Sequence, residues 1–345
     1  MTKLSIRKRG INLMTNNIGL ILDPNSFENL KYVSLKAEEN GFHSLWVTEL
    51  YRSSFEQLSY LASITKSINL GSAVTLAFTR SPLVTVISAH DIDEISGGRL
   101  ILGLGSGAIN TNRKWHNFTD FQKPTERMSS FYDLFRKIEE ILRTKEDLVF
   151  QDDFYNLSIR SFRRPFDPLR AKLPLFLGGI GPNMTNLSSE KFEGYIGHVV
   201  CSMNYLTNDI LPYFKNKTSK AQISSIILCS INDDKKKAID DAKGTIAFYA
   251  TVKAYYKPFI DLGYEDNIKK IRDAYFNNDT DEMIKNVPDQ MVKDFAICGS
   301  REDALEQLNK YKEILSLPIL TAPHYYLEKN VVRMYQDEIL ETFKI

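Results

Sequence analysis

The chain has 345 residues, 43% of them hydrophobic and 25% charged, an ordinary globular composition with enough apolar residues for a large core. Its 44 basic and 43 acidic residues leave a formal net charge of +1, so the basic excess that nucleic-acid binding needs is missing. The three cysteines (Cys201, Cys229, Cys298) and five histidines are scattered, with no CxxC or HxxxH. That argues against a metal site and for a reducing, cytoplasmic compartment.

The apolar stretch behind the basic N-terminal residues contains Asn12, Asn16 and Asn17. It offers no clear cleavage site, and no apolar run reaches the ~18 residues of a membrane span. A soluble protein without a targeting segment or membrane contact is expected. The clusters Arg7-Lys8-Arg9 and Lys235-Lys236-Lys237 read as solvated surface.

Short apolar runs alternate with longer amphipathic ones. Ile18–Leu22 reads as a strand closed by Asp23-Pro24, followed by a helix from Phe27 to Asn40 that stops at Gly41. His43–Thr48 is a second strand and Phe55–Lys66 a second helix. Ile68–Leu76 is strand three, Pro82 opens a helix to Ser96 stopped by Gly97-Gly98, and Leu100–Leu104 is strand four. The helix Pro124–Arg143 precedes an irregular excursion, about 145–172, in which Val149–Ile159 reads as a small hairpin. Leu175–Leu177, Tyr195–Val200 and Ile223–Ser230 continue as strands five to seven. The span 233–294 is almost wholly helical, an insertion after strand seven that would cap one end. Gly299–Ile314 reads as the last helix and Leu317–Leu320 as strand eight. Eight strands in strict alternation predict a single (β/α)8 barrel domain over 1–345, with an open doubly wound sheet as the alternative.

Two glycine clusters follow strands: Gly103-Leu104-Gly105-Ser106-Gly107, and Gly178-Gly179-Ile180-Gly181-Pro182, which opens a helix. Glycine-rich turns let backbone amides approach an anion, and a helix N-terminus adds a favourable dipole. Both would lie on the strand-to-helix face where barrel active sites gather. Two plain βα turns remain the structural reading. A dinucleotide fingerprint fits poorly, because the first cluster sits on strand four and no acid ends a strand about 20 residues later.

Taken together, four segments resemble the luciferase-like family. They are Gly41-Phe42-His43-Ser44-Leu45-Trp46-Val47-Thr48-Glu49, Ile68–Thr75 with Arg80-Ser81-Pro82, Ser96–Gly107, and Pro174–Pro182. The closest likeness is to its deazaflavin-dependent branch. The resemblance implies a TIM barrel with an insertion after strand seven, hydride transfer with coenzyme F420, and a homodimer. It also implies a non-prolyl cis peptide between Ala73 and Val74 that props the ring. Ser72, Ala73, Val74 and Thr75 would line that face, while Gly105, Ser106, Gly107 and Gly179-Ile180-Gly181-Pro182 would hold the ribityl-phosphate tail. Glu49 matches the family's acidic position near the ring.

The chain departs from the family pattern where the chemistry is done. Relatives often place His after that acid, where Leu50 stands, and one activity uses a Glu where Ala108 stands. The methanopterin reductase has an acid on strand one, where Ile21 stands. Hydride transfer needs donor and acceptor stacked and one proton handler, and the candidates are Glu49, Tyr51 and His116. For Glu49 the competing roles are a ring anchor and an ion pair with Arg80. Trp115 with His116 is a candidate pocket wall, Tyr249, Tyr255 and Tyr256 a candidate cap, and Arg52 and Arg113 candidate partners of an anionic tail. The alternatives are an FMN-dependent monooxygenase using reduced flavin and oxygen, and a non-catalytic homologue.

Overall fold

The computed structural model describes residues 16–215 and 221–345. The basic cluster at Arg7–Arg9 and Asn12 lie outside the described residues. Eight parallel strands run in sequence order around a closed barrel. They are β1 (Asn16–Ile21), β2 (Phe42–Val47), β3 (Asn69–Ser72, resuming at Thr75–Leu76), β4 (Leu100–Gly105), β5 (Leu175–Gly178), β6 (Gly194–Gly197), β7 (Gln222–Ile231) and β8 (Leu317–Thr321). The ring closes where Gly19 and Leu20 of β1 pair with Ile319 and Leu320 of β8. This rules out the open sheet.

Local chemistry sets the helix ends. Ser26 caps the helix Phe27–Glu39 by accepting from the Asn29 amide at 3.0 Å. Pro82 starts Pro82–Ser96 at a position whose N–H would be unpaired anyway, and Gly97, left-handed at φ 70°, ends it. Ile21, Trp46, Ala73, Phe176, Ile196, Leu317 and Ile319 form a core cluster of their own, with one or two residues from nearly every strand. Neighbouring strands make room for its largest ring: a Cβ on Gly71 would lie 2.4 Å from Trp46, and one on Gly19 2.7 Å from it. A filled barrel of this kind is a packed core rather than a pore.

Several elements differ from the sequence reading. Strand six ends at Gly197, so His198 stands at its C-terminal end instead of inside it. A four-residue strand, Ala296–Gly299, pairs with Leu228–Ile231 of β7 outside the ring. It abuts the helix Asp289–Phe295 with no turn residue between them, so nothing punctuates it in sequence. Gly299–Ile314 is not the last helix, because Lys329–Thr342 follows β8 and buries Val332, Tyr335, Gln336, Ile339 and Leu340. A short helix, Ile109–Lys114, follows β4.

The 145–172 excursion contains the hairpin Leu148–Gln151/Asn156–Ile159. Its arginine-rich tail is pinned to the helix Pro82–Ser96 by Arg164–Asp91 and Arg170–Asp93 pairs. The insertion after β7 builds a second apolar core around Ile246, Phe259, Ile271 and Met291. No helix among the described residues is long and apolar enough to cross a membrane.

Candidate functional site

Strand β3 breaks between Ser72 and Thr75, where the Ala73–Val74 peptide is cis. The break sends four side chains in different directions. Ser72 is fully buried, donating to the Gly103 carbonyl at 2.8 Å and accepting from the Gly103 amide at 3.1 Å. Thr75 is fully buried against the Ser54 hydroxyl at 2.8 Å. Val74 lies over the ends of β4 and β5: a Cβ on Gly105 would sit 2.3 Å from its Cγ2, and one on Gly178 2.6 Å from its Cγ1. Of the four residues expected to line a ring face, Ala73 lines the large cavity described below. Ser72 and Thr75 instead knit the barrel wall, because their hydroxyls are taken by neighbouring strand and helix.

The two glycine turns sit side by side, since β4 and β5 pair through Leu104 and Leu177. Buried side chains hold their carbonyls from behind. Asn112 donates to the Ser106 carbonyl at 2.8 Å, the Tyr195 hydroxyl to Gly179 at 2.6 Å, and the Tyr205 hydroxyl to Ile180 at 2.8 Å. In a trans peptide the C=O and the following N–H point in opposite directions, so the amides of Gly107, Ile180 and Gly181 face away from these anchors. Gly107 has φ 68°, a conformation that favours glycine. The helix Pro182–Lys191 has no side-chain N-cap, which leaves its first amides to other acceptors. Asn112, Tyr195 and Tyr205 were not legible as turn anchors, because each reaches the turn through the tertiary fold.

A cavity of about 410 Å³ opens at the C-terminal ends of β1, β2, β3, β6, β7 and β8. Ile21, Ala73 and Ile226 are among its apolar lining, and Tyr51, Tyr249, Tyr325 and Tyr326 among its aromatic walls. The glycine turns do not line it; the Ala73–Val74 break lies between, with Ala73 toward the cavity and Val74 toward the turns. The insertion supplies one wall. Phe248 stacks on Tyr325 at 3.7 Å, and Tyr249 meets it edge-on at 5.6 Å. His198 packs between Tyr255 (4.4 Å) and Tyr249 (4.8 Å), and burial pushes its imidazole down to about 4. Asp23 and His324 also line the cavity. Burial raises the Asp23 carboxyl, opposed by His324, Asn25 and Lys329, and burial lowers the His324 imidazole. The sequence reading missed Asp23, His198 and His324. The available signal was position: each stands just beyond a strand end, where barrel active sites are built.

Glu49 is placed differently from the expectation of a proton handler. Its Oε2 accepts from the Leu76 amide at 2.7 Å and from Arg80 Nη1 at 2.8 Å. Its Oε1 takes Arg80 Nη2, the Ser54 amide at 3.2 Å and the Ser54 hydroxyl at 3.3 Å. Five donors occupy the carboxylate, so the ion-pair alternative describes it, and it clamps the resumed β3 and Arg80 to the start of the preceding helix, Ser54–Ile64. His116 shares a shallow surface cleft with Glu49 and Arg80, outside the large cavity. Tyr51 stands at the cavity rim, 71% exposed.

Trp115 is exposed and lines neither space. Tyr256 packs under Arg272 at 5.5 Å, outside the large cavity. Arg52 donates to the Pro24 carbonyl at 2.6 Å, and Arg113 is exposed. Among the described residues no cluster of His, Cys, Asp or Glu could hold a metal ion.

A 5,10-methylenetetrahydromethanopterin reductase from Archaeoglobus fulgidus is 28% identical over 96% of this chain and all of its own length. The structure of the coenzyme F420-dependent tetrahydromethanopterin reductase from Methanopyrus kandleri superposes with a TM-score of 0.77 at 20% identity, covering 95% of this chain and 99% of that one. An F420-dependent secondary alcohol dehydrogenase, solved with an F420–acetone adduct, superposes at 0.70 with 16% identity over 96% and 100%. The model of the luciferase-like monooxygenase family matches residues 8–316. With a closed barrel, a broken third strand and a cavity at the strand ends already in place, this chain belongs to the luciferase-like monooxygenase family.

Proposed function

We propose that this protein is an oxidoreductase that binds coenzyme F420 and exchanges a hydride with a small organic substrate. One observation carries the reading: an apolar, aromatic-walled cavity and two amide-presenting turns lie on the same barrel face, joined by the Ala73–Val74 break. The residues fit the group. The cavity offers Ala73 and Ile226 to a flat ring, and the amides of Gly107, Ile180 and Gly181, facing away from the side chains that hold the preceding carbonyls, can meet an anionic tail. A deazaflavin is favoured over FMN by the two superposed structures named above, both F420-dependent, although FMN-binding monooxygenases share the fold.

When bound, the deazaflavin supplies a hydride donor or acceptor at its central ring. The chain's own work is to position, shield and manage a proton. The bulge and the glycine ends fix where a ring can rest, while Tyr249 from the insertion and Tyr325 from the segment after β8 restrict water. Neither Leu50 nor Ala108 can move a proton, so the proton must be handled by other residues of this chain.

The test is a fluorescence and absorbance titration of the purified protein with F420 and with FMN. Saturable F420 binding, at least tenfold tighter than FMN, is expected. Tighter FMN binding would move the assignment to the oxygen-using branch, and binding of neither would leave a non-catalytic barrel.

A further inference from the structure

Strands β1 and β8 are neighbours, with Leu20 opposite Leu320. Their continuations carry Asp23 and His324, three and four residues further on, into the same cavity. The imidazole Nδ1 lies 3.0 Å from the Ala322 carbonyl. A carbonyl only accepts, so Nδ1 carries the proton and Nε2 of the neutral ring carries the lone pair. The backbone is held equally firmly, since Thr245 Oγ1 accepts from the amides of His324 (3.1 Å) and Tyr325 (3.3 Å). Asp23 in turn accepts from the Asn25 side chain at 2.7 Å.

Each of the two groups counts among the charges acting on the other. The other titratable groups on the cavity are Lys329 at the start of the C-terminal helix, His198 beyond β6, and the tyrosines 51, 249, 325 and 326. His198 is wedged between two tyrosine rings, and no arginine lines the cavity among the described residues. An acid and a base on one wall of a largely apolar and aromatic cavity, with Lys329 its only lysine or arginine among the described residues, suit a neutral substrate that gains or loses one proton better than a phosphorylated one.

We propose that Asp23 and His324 form the proton-handling couple of this site and that the substrate is a small, uncharged alcohol or its carbonyl partner. In the oxidising direction the carbinol C–H bond breaks with its electron pair passing to the deazaflavin ring. The O–H bond breaks with its proton passing to His324 Nε2, and the C=O π bond forms. The alcohol loses two electrons and the cofactor gains them. The Asp23 carboxylate stabilises the imidazolium that results. The inference rests on the cofactor reading above, and the experiment separates the two.

In the intact protein without cofactor, the His324 midpoint is followed by NMR of labelled histidine. Asp23→Asn should lower it by about half a pH unit or more, because a carboxylate favours the charged ring. An unmoved midpoint overturns the pairing without reference to any cofactor. F420 affinity, read by fluorescence, should stay within about threefold of wild type in His324→Gln. With 2-propanol and cyclohexanol as probes, F420 reduction should fall about 100-fold in that variant, in the usual range for a lost acid–base group. Retained turnover in His324→Gln overturns the proposal. So does a wild-type protein that binds F420 but oxidises neither probe. A protein that shows the histidine coupling yet binds no F420 refutes the cofactor reading, and the alcohol chemistry falls with it.

Discussion

Gly105 and Val74 offer the sharpest test of how the site is built. An alanine at 105 would place its Cβ 2.3 Å from Val74 Cγ2, well over 1 Å inside the ~3.5–4.0 Å carbon contact distance. Overpacking of this kind costs about 1–3 kcal/mol, and the rigid strand end argues for the upper part of that range. Val74→Ala removes both γ-carbons. The nearest remaining atom is Val74 Cβ at 3.2 Å, tight by a few tenths of an ångström. By itself Val74→Ala loses two half-buried methyl groups, worth about 1 kcal/mol. Independent effects would therefore sum to about 3–4 kcal/mol, whereas the double variant should lose only about 1–1.5, a coupling of about 2 kcal/mol.

Urea unfolding of the four proteins of the cycle measures this from the midpoints at constant m-value. Additivity within error, or a Gly105→Ala variant as stable as wild type, would refute the claim that Val74 is why β4 ends in glycine. Gly103 supplies the control. A Cβ there would lie 1.9 Å from the Ser72 backbone oxygen, so Gly103→Ala should be more damaging and Val74→Ala should not rescue it.

Other expectations follow from the same contacts. Glu49→Ala strands the Arg80 guanidinium and the Leu76 amide, and chemical denaturation should show a loss of about 2–3 kcal/mol, with Glu49→Gln intermediate. Unchanged stability would contradict the clamp. For His198 the folded value of about 4 lies below the ordinary histidine value of 6.5. Its contribution is therefore fully present above about pH 6.5 and is lost as pH falls toward 4, because the unfolded chain takes up the proton first. The shift sets an upper bound of about 3 kcal/mol. His198→Gln should flatten the stability–pH profile across that window, and an unchanged slope would show that the ring is solvated. Tyr195→Phe and Tyr205→Phe each release a turn carbonyl. They should weaken F420 binding severalfold in a fluorescence titration while costing stability only about 1 kcal/mol, and unaltered affinity would show that the turns meet no tail.

The barrel was legible in the sequence because alternation of apolar strands with amphipathic helices is a local, periodic signal. Proline and glycine mark its boundaries, as at Pro82 and Gly97. Ala296–Gly299 escaped because four apolar residues continue a helix without punctuation. Lys329–Thr342 carries a readable helical period, yet nothing local says that a last helix must follow the eighth strand. The glycine clusters were visible as turns, but their purpose was not. Gly105 and Gly178 are small because Val74 arrives from another strand, and Gly103 because Ser72 does.

The site itself divides the same way. Glu49 stood out by its place in a motif, and the fold surrounds it with Arg80, Ser54 and Leu76. Asp23, His198 and His324 lie in three distant segments that no spacing rule connects, and they share one cavity only because the sheet closes and brings β8 beside β1. Sequence determined which elements form, since that depends on neighbours a few residues away. Closure of the barrel decided which side chains meet, since strand order and register bring together residues some 300 positions apart.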